Sequence, residues 1–373
     1  MDTNKKGMIF EPYDLRGLKL RNRMVMAPMT RCRATNPDHL VNELIVKYYV
    51  QRATAGLIVS EPSFVSEDAV GAINAPALYS EEQVEAWSKV TTAVHEKGTT
   101  IFAQLWHTGS HSHPDLLGGK LPLAPSAVNP NGPVFTPEGF KPTVTPRQMS
   151  LADIKQTVAD VKQAAVNAFK AGFDGIEIHG ANGYLLQQFF NKDSNRRTDL
   201  YGGSIENRAR ILFDILDAMK EVVDCSRIGV RLSPSLDGLL GVVADDETIA
   251  LYDYIVDRLN EYELAYVHLL RPFTDVSNDR NVVHDVAHYY RRLFKGTLII
   301  NGGFTKETAE QVLAAGDADL VSFGQPFLAN PDLVKRFELN APLNQPDRNT
   351  LYTPGETGYT DYPFLEIKTD KQL

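Results

Sequence analysis

Short runs of apolar and β-branched residues recur along the chain, and each is followed by a longer stretch with helical periodicity. Several of these runs are apolar on consecutive residues, which is typical of strands that a parallel sheet buries on both faces. The predicted strands are residues 24–27, 56–60, 100–105, 175–178, 228–232, 265–269, 297–300 and 320–323. Eight such strand–helix units predict an α/β protein with a closed (β/α)8 barrel, the TIM barrel, as a single domain over residues 1–373.

The start and stop signals of the intervening helices agree with this prediction. A serine or threonine precedes four of the predicted helices, and glycines close two of them. The capping residues are Ser80, Ser150, Ser204 and Thr305, and the closing glycines are Gly98 and Gly316. An open doubly wound sheet is the alternative fold. It would need a glycine-rich dinucleotide motif after the first strand, and the sequence has none there.

Two stretches depart from the strand–helix repeat. Residues 107–149, after the third strand, contain eight of the 21 prolines and no helical period. A loop of this length in a compact domain is usually a functional lid or a small subdomain. The tail from Leu339 is rich in proline, glycine and tyrosine. We expect this tail to pack over the barrel, with contact to a substrate as the alternative.

Composition and charge exclude several classes of protein. The net charge is −9 and no block of lysine and arginine stands out, which argues against a nucleic-acid partner. No apolar run approaches the length of a membrane span, and the start of the chain lacks the apolar stretch of a signal peptide. The two cysteines, Cys32 and Cys225, are too few for a disulfide framework. We therefore expect a cytoplasmic protein that needs no membrane.

Polar side chains follow the predicted strands at the end where active sites of this barrel lie. Glycines follow the last two strands, as Gly302-Gly303 and as Gly324, and backbone N–H groups at these two positions often bind a phosphate. The other strand ends carry Thr30, Glu61, Gln104, Trp106, His107, His179, Arg231 and His268. Their convergence on one face predicts a site with a phosphate-binding side. No lysine lies at a strand end, which argues against Schiff-base chemistry.

Three histidines in the long loop, His107, His111 and His113, suggest a metal site at first sight. The loop supplies no cysteine or carboxylate in support, and zinc sites usually combine such ligands at regular spacing. We predict no metal here.

Several motifs, in this order, resemble the old yellow enzyme family of FMN-dependent ene-reductases. The fourth unit, residues 172–186, reads GFDGIEIHGANGYLL. Four further matching motifs are APMTR at 27–31, QLWHTG at 104–109, RTDLYGGSIENR at 197–208 and GYTDYP at 358–363, and FG at 323–324 precedes ANPD at 329–332. The resemblance covers nearly the whole chain. It implies that FMN lies across the mouth of the barrel, that a reduced nicotinamide, NADPH or NADH, reduces it, and that an activated alkene is the second substrate.

The resemblance also implies a role for each matching residue. Thr30 corresponds to the threonine that bonds the flavin O4, Gln104 to the amide at the pyrimidine edge, and Arg231 to the cation near N1 and O2. His179 and Asn182 correspond to the pair that binds the substrate carbonyl oxygen, and Tyr184 to the acid that protonates the α-carbon. Further expected flavin contacts are Pro28, Met29, Pro62, Gly302, Gly303, Gly324 and Gln325, and further expected substrate contacts are Trp106, Ile73 and Tyr352.

The chain departs from the family pattern at four places. The residue after Gly324 is usually an arginine that pairs with the FMN phosphate, but here it is the neutral Gln325. Pro62 stands where the family usually has a small residue, and Ile73 replaces an aromatic residue of the substrate pocket. The stretch at 269–273 also differs from the commoner pattern. These departures bear on flavin affinity and on substrate shape.

The sequence therefore predicts an enzyme, monomeric or homodimeric, that uses FMN and NAD(P)H to reduce the C=C bond of an α,β-unsaturated carbonyl or similarly activated alkene by ping-pong turnover. Two alternatives stay open at this point. One is a phosphate-binding barrel with lyase or isomerase activity and no flavin. The other is a flavin-binding protein without catalytic activity.

Overall fold

Eight parallel strands form a closed barrel in the computed structural model, which describes residues 7–366. The strands, in chain order, are β1 (Met24–Met26), β2 (Leu57–Val59), β3 (Thr100–Trp106), β4 (Gly175–Gly180), β5 (Ile228–Leu232), β6 (Tyr266–Leu270), β7 (Leu298–Asn301) and β8 (Leu320–Phe323). Each strand pairs with the next, and β8 pairs with β1, with Ser322 opposite Val25. All eight predicted strands are confirmed, within one or two residues at their ends.

Helices cover the outside of the barrel and connect the strands. They are α1 (Glu43–Gln51), α2 (Glu81–His95), α3 (Leu151–Lys170), α4 (Leu185–Phe190), α5 (Ile205–Met219), α6 (Thr248–Leu259), α7 (Val286–Arg291), α8 (Lys306–Ala314), α9 (Gln325–Ala329) and α10 (Leu333–Leu339). Ser80 and Ser150 each form a complete capping box, and Ser204 and Thr305 cap α5 and α8. The predicted helix starts are therefore confirmed.

Two apolar layers hold the barrel together. Inside it, side chains such as Val25, Val59 and Ile299 fill the lower half, and a hairpin of strands Tyr13–Leu15 and Leu18–Leu20 covers the N-terminal end. Outside it, the apolar stripes of the helices pack against the strands. The interior is filled at the bottom, so the open end of the barrel is the end where the strands finish and where the polar residues lie.

The long loop after β3 contains short elements of its own. An antiparallel hairpin joins Pro133–Thr136 to Gly139–Pro142, and the two-residue strands Leu123–Ala124 and Arg147–Gln148 pair in parallel. Ser63–Phe64 adds a short strand beside β3. The one-turn 3₁₀ helices are Met8–Phe10, Glu67–Ala69, Pro114–Leu116, Cys225–Arg227, Asn260–Tyr262 and Arg348–Thr350.

The C-terminal tail packs against the barrel through three buried arginines, as its composition predicted. Arg31 and Arg33 both donate to the carbonyl oxygen of Leu351, at 3.1 and 2.7 Å. Arg52 donates to the carbonyl oxygen of Tyr359, whose ring stacks on Tyr48 with 4.0 Å between the centroids. These contacts fix the tail over the mouth of the barrel. The predicted domain also includes residues 1–6 and 367–373, which lie outside the described residues.

Between residues 7 and 366, no helix combines the length and the hydropathy that crossing a membrane requires.

Candidate active site

A cavity of about 790 Å³ opens at the C-terminal end of the barrel strands. Its volume lies within the usual range for small-molecule sites. The predicted site residues that line it are Pro28, Met29, Thr30, Pro62, Ile73, Gln104, Trp106, His179, Asn182, Tyr184, Arg231, Gln325 and Tyr352. Thirteen predicted residues, from positions between 28 and 352, therefore meet at one cavity.

A buried polar network forms the floor of the cavity. Neighbouring strands bring Gln104 opposite Glu177, and Arg231 opposite His268. Gln104 Nε2 donates to Glu177 Oε1 at 2.6 Å, and His268 Nδ1 donates to Glu177 Oε2 at 2.8 Å. Arg231 donates to His268 Nε2 at 3.3 Å and to Asn301 Oδ1 at 3.2 Å. The network orients Gln104 and Arg231 from below.

The network carries one negative and one positive charge. Burial raises the pKa of Glu177, but His268, Arg231 and Gln104 outweigh this effect and hold the pKa below its usual value. Burial lowers the pKa of His268 to about 4, and the charge of Arg231 acts in the same direction. His268 is therefore neutral at neutral pH, and Glu177 is the buried counter-ion of Arg231.

Asn182 sits in a sharp turn that directly follows β4. Its φ of 58° is left-handed, a region that asparagine tolerates better than most residues, and Gly183 continues with φ of 75°. A Cβ on Gly183 would lie 2.7 Å from the Cβ of Leu240, so the turn requires glycine there. Ser233 Oγ accepts from the backbone N–H of Asn182 at 3.0 Å, and Gln187 Oε1 accepts from that of Gly183 at 2.8 Å. These bonds fix the backbone at Asn182 relative to β4.

His179, Tyr184 and Trp106 form an aromatic cluster at one wall of the cavity. The ring centroids of His179 and Tyr184 are 5.2 Å apart, and those of Trp106 and Tyr184 are 4.9 Å apart. Burial lowers the pKa of His179 to about 3, with a further contribution from the charge of Arg231. Burial also raises the pKa of Tyr184 above its usual value. The cluster therefore presents a neutral imidazole beside a protonated phenol.

Several buried polar atoms at the cavity have no hydrogen-bond partner among residues 7–366. They are Gln104 Oε1, His179 Nδ1, Asn182 Oδ1 and Arg231 Nε. Buried polar groups are nearly always paired, and unpaired ones cluster at functional sites. This concentration at the floor and wall marks the surface that receives a polar ligand.

Three predicted flavin contacts are glycines in turns beside the cavity. Gly302 and Gly303 follow β7 with φ of 124° and 66°, and Gly324 follows β8. None of the three lines the cavity itself, whereas Gln325, the first residue of α9, does. The turns therefore lie at the rim.

Cys32 also lines the cavity. It is buried, its φ is 57°, and burial raises the pKa of its thiol to about 12. Glu61 Oε1 accepts from the backbone N–H groups of Arg31 and Cys32, at 2.6 and 3.0 Å. Glu61 therefore holds the loop that carries Thr30.

The three loop histidines have separate contacts. His107 Nδ1 accepts from the backbone N–H of Gly109, His111 Nε2 lies 2.8 Å from the carbonyl oxygen of Leu240, and His113 Nδ1 accepts from the backbone N–H of Asp115. Within residues 7–366, no three histidine, cysteine or carboxylate side chains are grouped so as to hold a metal ion.

The sequence matches the model of the NADH:flavin oxidoreductase / NADH oxidase family over residues 8–344. The chain belongs to this family. It is an oxidoreductase that uses FMN and a reduced nicotinamide, as the motifs predicted, and the lyase or isomerase alternative is not favoured.

Known members of the family are similar over almost their whole length. The chain is 41% identical to 12-oxophytodienoate reductase 1 of Oryza sativa subsp. japonica, over 96% of this chain and 93% of the relative. The structure of morphinone reductase superposes with a TM-score of 0.90 at 42% identity, over 97% and 98% of the two chains. The old yellow enzyme homologue of Zymomonas mobilis has a TM-score of 0.90 at 39% identity, over 96% and 99%. The predicted resemblance to the old yellow enzyme family is confirmed.

The residues at the cavity fit FMN. The floor offers an unpaired amide oxygen on Gln104 and an unpaired guanidinium N–H on Arg231, and the flavin pyrimidine edge has both donors and acceptors. Glycines stand at the two strand ends where phosphates often bind in this fold, Gly302-Gly303 after β7 and Gly324 after β8, and Gly303 is exposed. Polar groups for the ring and for the phosphate are thus both present.

Sequence reasoning missed several residues of the site. Glu177 received no role, although it lies two residues before His179 and so shares its face of β4, which is the signal that could have found it. Gln187 and Ser233, which fix the turn of Asn182, gave no such signal. Phe135 and Phe140 of the loop hairpin also line the cavity. This contact agrees with the prediction that the long loop is functional.

Proposed function

We propose that the enzyme reduces the C=C bond of small alkenes conjugated to a carbonyl group. The observation that carries this proposal is the meeting of His179, Asn182 and Tyr184 at one wall, next to the floor that holds Arg231. Relatives are named as reductases of 12-oxophytodienoate and of morphinone, which supports an oxo compound as the substrate.

We assign the floor of the cavity to the flavin. When bound, FMN supplies the chemistry of accepting a hydride from the nicotinamide and donating it to the alkene. Arg231 would place its charge beside the pyrimidine edge, Gln104 would bond that edge, and Thr30 would donate to the ring from the loop after β1. The remaining proposed contacts are Pro28, Met29 and Pro62 beside the ring, with Gly302, Gly303, Gly324 and Gln325 toward the phosphate.

His179 and Asn182 bind the carbonyl oxygen of the substrate. Negative charge develops on this oxygen when hydride reaches the β-carbon, and two N–H donors stabilise it. His179 donates as a neutral imidazole, because burial lowers its pKa to about 3. Trp106, Ile73 and Tyr352 complete the apolar walls around the substrate.

Tyr184 protonates the α-carbon. The phenol remains protonated at neutral pH because burial raises its pKa. It lies beside His179, so a substrate whose oxygen is bound there places its α-carbon on the same side of the cavity. Hydride and proton are then added to adjacent carbons.

Anaerobic spectroscopy tests this function. The purified enzyme is expected to absorb at about 450 nm through oxidised flavin. NADPH or NADH should bleach this band, and a conjugated enone should restore it. A protein that binds flavin without catalysis would show the band but no reoxidation by any activated alkene.

We expect the affinity for an enone without ionisable groups to be constant between about pH 5 and about pH 8, because His179 stays neutral throughout this range. A histidine with an ordinary pKa would gain a proton as the pH falls through about 6.5, and the ligand affinity would change there. Titration of the oxidised enzyme with ligand across this range measures the effect. A transition centred near the ordinary histidine pKa would contradict the neutral-imidazole assignment.

Arg231→Met is expected to lower the reduction potential of the bound flavin, since it removes the charge that stabilises the anionic reduced form. The expected decrease is about 20 to 60 mV, equivalent to about 1–3 kcal/mol for a two-electron couple. Thr30→Ala should lower the reduction potential by a smaller amount. Arg231→Lys keeps the charge and serves as the control. Unchanged potentials in Arg231→Met would exclude this role.

The last part of the proposal concerns domain organisation, localisation, oligomeric state and partners. We propose one domain over residues 1–373 in a cytoplasmic enzyme, monomeric or homodimeric. The free state of Cys32 and Cys225 supports a reducing compartment. The net charge of −9 supports a small-molecule substrate rather than a nucleic acid.

A further inference from the structure

The rim beside β7 and β8 lacks a cation at the position where α9 begins. Gln325 starts this helix and is neutral, and Gly302-Gly303 offers only backbone N–H groups. A phosphate monoester carries close to two negative charges at neutral pH and is usually bound with the help of an arginine or a lysine. The charge must therefore come from another element.

Arg271 lies next to the glycine turn. It directly follows β6, and its backbone N–H donates to the carbonyl oxygen of Asn301 at 2.8 Å, which continues the β6–β7 pairing by one residue. A Cβ on Gly302 would lie 2.9 Å from the Cβ of Arg271. The backbone segments at Arg271 and Gly302 are thus in contact where β7 ends and the turn begins.

Contacts with Phe304 and Gly302 hold the guanidinium of Arg271 beside the glycine turn. Its carbon lies 4.9 Å from the ring centroid of Phe304, and Nη1 donates to the carbonyl oxygen of Gly302 at 3.4 Å. No carboxylate within residues 7–366 lies within 4.0 Å of its nitrogens, unlike those of Arg208 or Arg336, which pair with Glu247 and Asp332. Most of its donors are therefore available to an anion.

Four other arginines near the mouth of the barrel are engaged. Arg31 and Arg33 donate to carbonyl oxygens of the tail, and Arg52 donates to those of Phe327 and Leu328. Arg231 belongs to the floor of the cavity. Arg348, which is exposed and lines the cavity from the tail, is the competing candidate.

We propose that Arg271 supplies the positive charge that binds the FMN phosphate. This inference rests on the proposed placement of FMN with its phosphate at the turns after β7 and β8. The Phe304 ring and the Gly302 carbonyl orient the guanidinium, and the N–H groups of the turn complete the phosphate site. The cation thus comes from the loop after β6 rather than from position 325.

Flavin titration of the apoprotein tests the proposal, with FMN and riboflavin as probes. The two ligands share the ring system, but only FMN has the phosphate. Arg271→Gln is expected to weaken FMN binding by about 10- to 100-fold, the range for a charge-assisted hydrogen bond, and to leave riboflavin binding unchanged. Arg271→Lys should lose less FMN affinity. The salt dependence of FMN affinity should also decrease in Arg271→Gln.

Control variants separate the alternatives. Gln325→Arg in the Arg271→Gln background is expected to restore FMN affinity, and Arg348→Gln to leave it unchanged. Equal loss of FMN and riboflavin in Arg271→Gln would make Arg271 a structural residue, and selective loss in Arg348→Gln would assign the charge to Arg348. Either result overturns the proposal. A wild-type apoprotein that binds neither flavin would instead contradict the proposed function.

Discussion

Tyr184→Phe is expected to slow the reduction of enones by about 100- to 10,000-fold, the usual contribution of a general acid. The phenol is partly buried and packs against Trp106 and His179, and its raised pKa keeps the proton on the oxygen. The phenylalanine ring retains this packing and removes only the proton donor. The half-reaction with NADPH and the binding of phenol-like ligands should therefore stay close to wild type.

The size of this loss should depend on the substrate. A nitroalkene forms a well-stabilised carbanion that can take its proton later from water, so nitroalkenes should still oxidise the flavin in the variant. Enones should react slowly. Rapid-mixing kinetics of both half-reactions measure the difference. Equal slowing of NADPH oxidation and enone reduction would make Tyr184 structural and assign the proton to another group.

His179→Ala and Asn182→Ala are each expected to slow alkene reduction by about 100- to 1000-fold, the typical effect of losing one donor from an oxyanion site. Both should also weaken the binding of phenol-like ligands, which resemble the enolate. His179→Asn keeps an N–H donor and should recover part of the loss. Since neither residue is assigned to the flavin, the reduction potential should not change.

Spectral titration with a phenol and single-turnover kinetics measure these effects. Asn182 also lies in a left-handed turn, so Asn182→Gly, which adopts this conformation without strain, is the matched control for the backbone. If Asn182→Gly reduces enones as fast as wild type, the asparagine side chain does not bind the carbonyl oxygen.

The barrel could be predicted from the sequence because each strand is buried on both faces and four of the helices begin with a capping residue. The strands 228–232 and 320–323 were predicted with their observed bounds. Strand ends such as 265–269, observed as Tyr266–Leu270, depend on pairing with neighbours that the local sequence does not specify. The cavity residues were predictable because one face of every strand ends at the same opening.

Contacts between distant loops could not be predicted in this way. Arg271 appeared only as part of a stretch that departs from the family pattern, and its position beside Gly302 depends on the pairing of β6 with β7. The engagement of Arg31 and Arg33 with the tail likewise joins residues more than 300 positions apart. Such contacts carry no periodic signal, because they form only after the barrel closes.

The position of deuterium in the product distinguishes reduction of the C=C bond from reduction of the carbonyl group. The enzyme is supplied with an enone and with reduced nicotinamide that carries deuterium at the transferable position, and the product is analysed by NMR. We expect a saturated ketone or aldehyde with deuterium at the β-carbon and a solvent-derived hydrogen at the α-carbon. An alcohol with deuterium on the former carbonyl carbon, and the C=C bond intact, would contradict it.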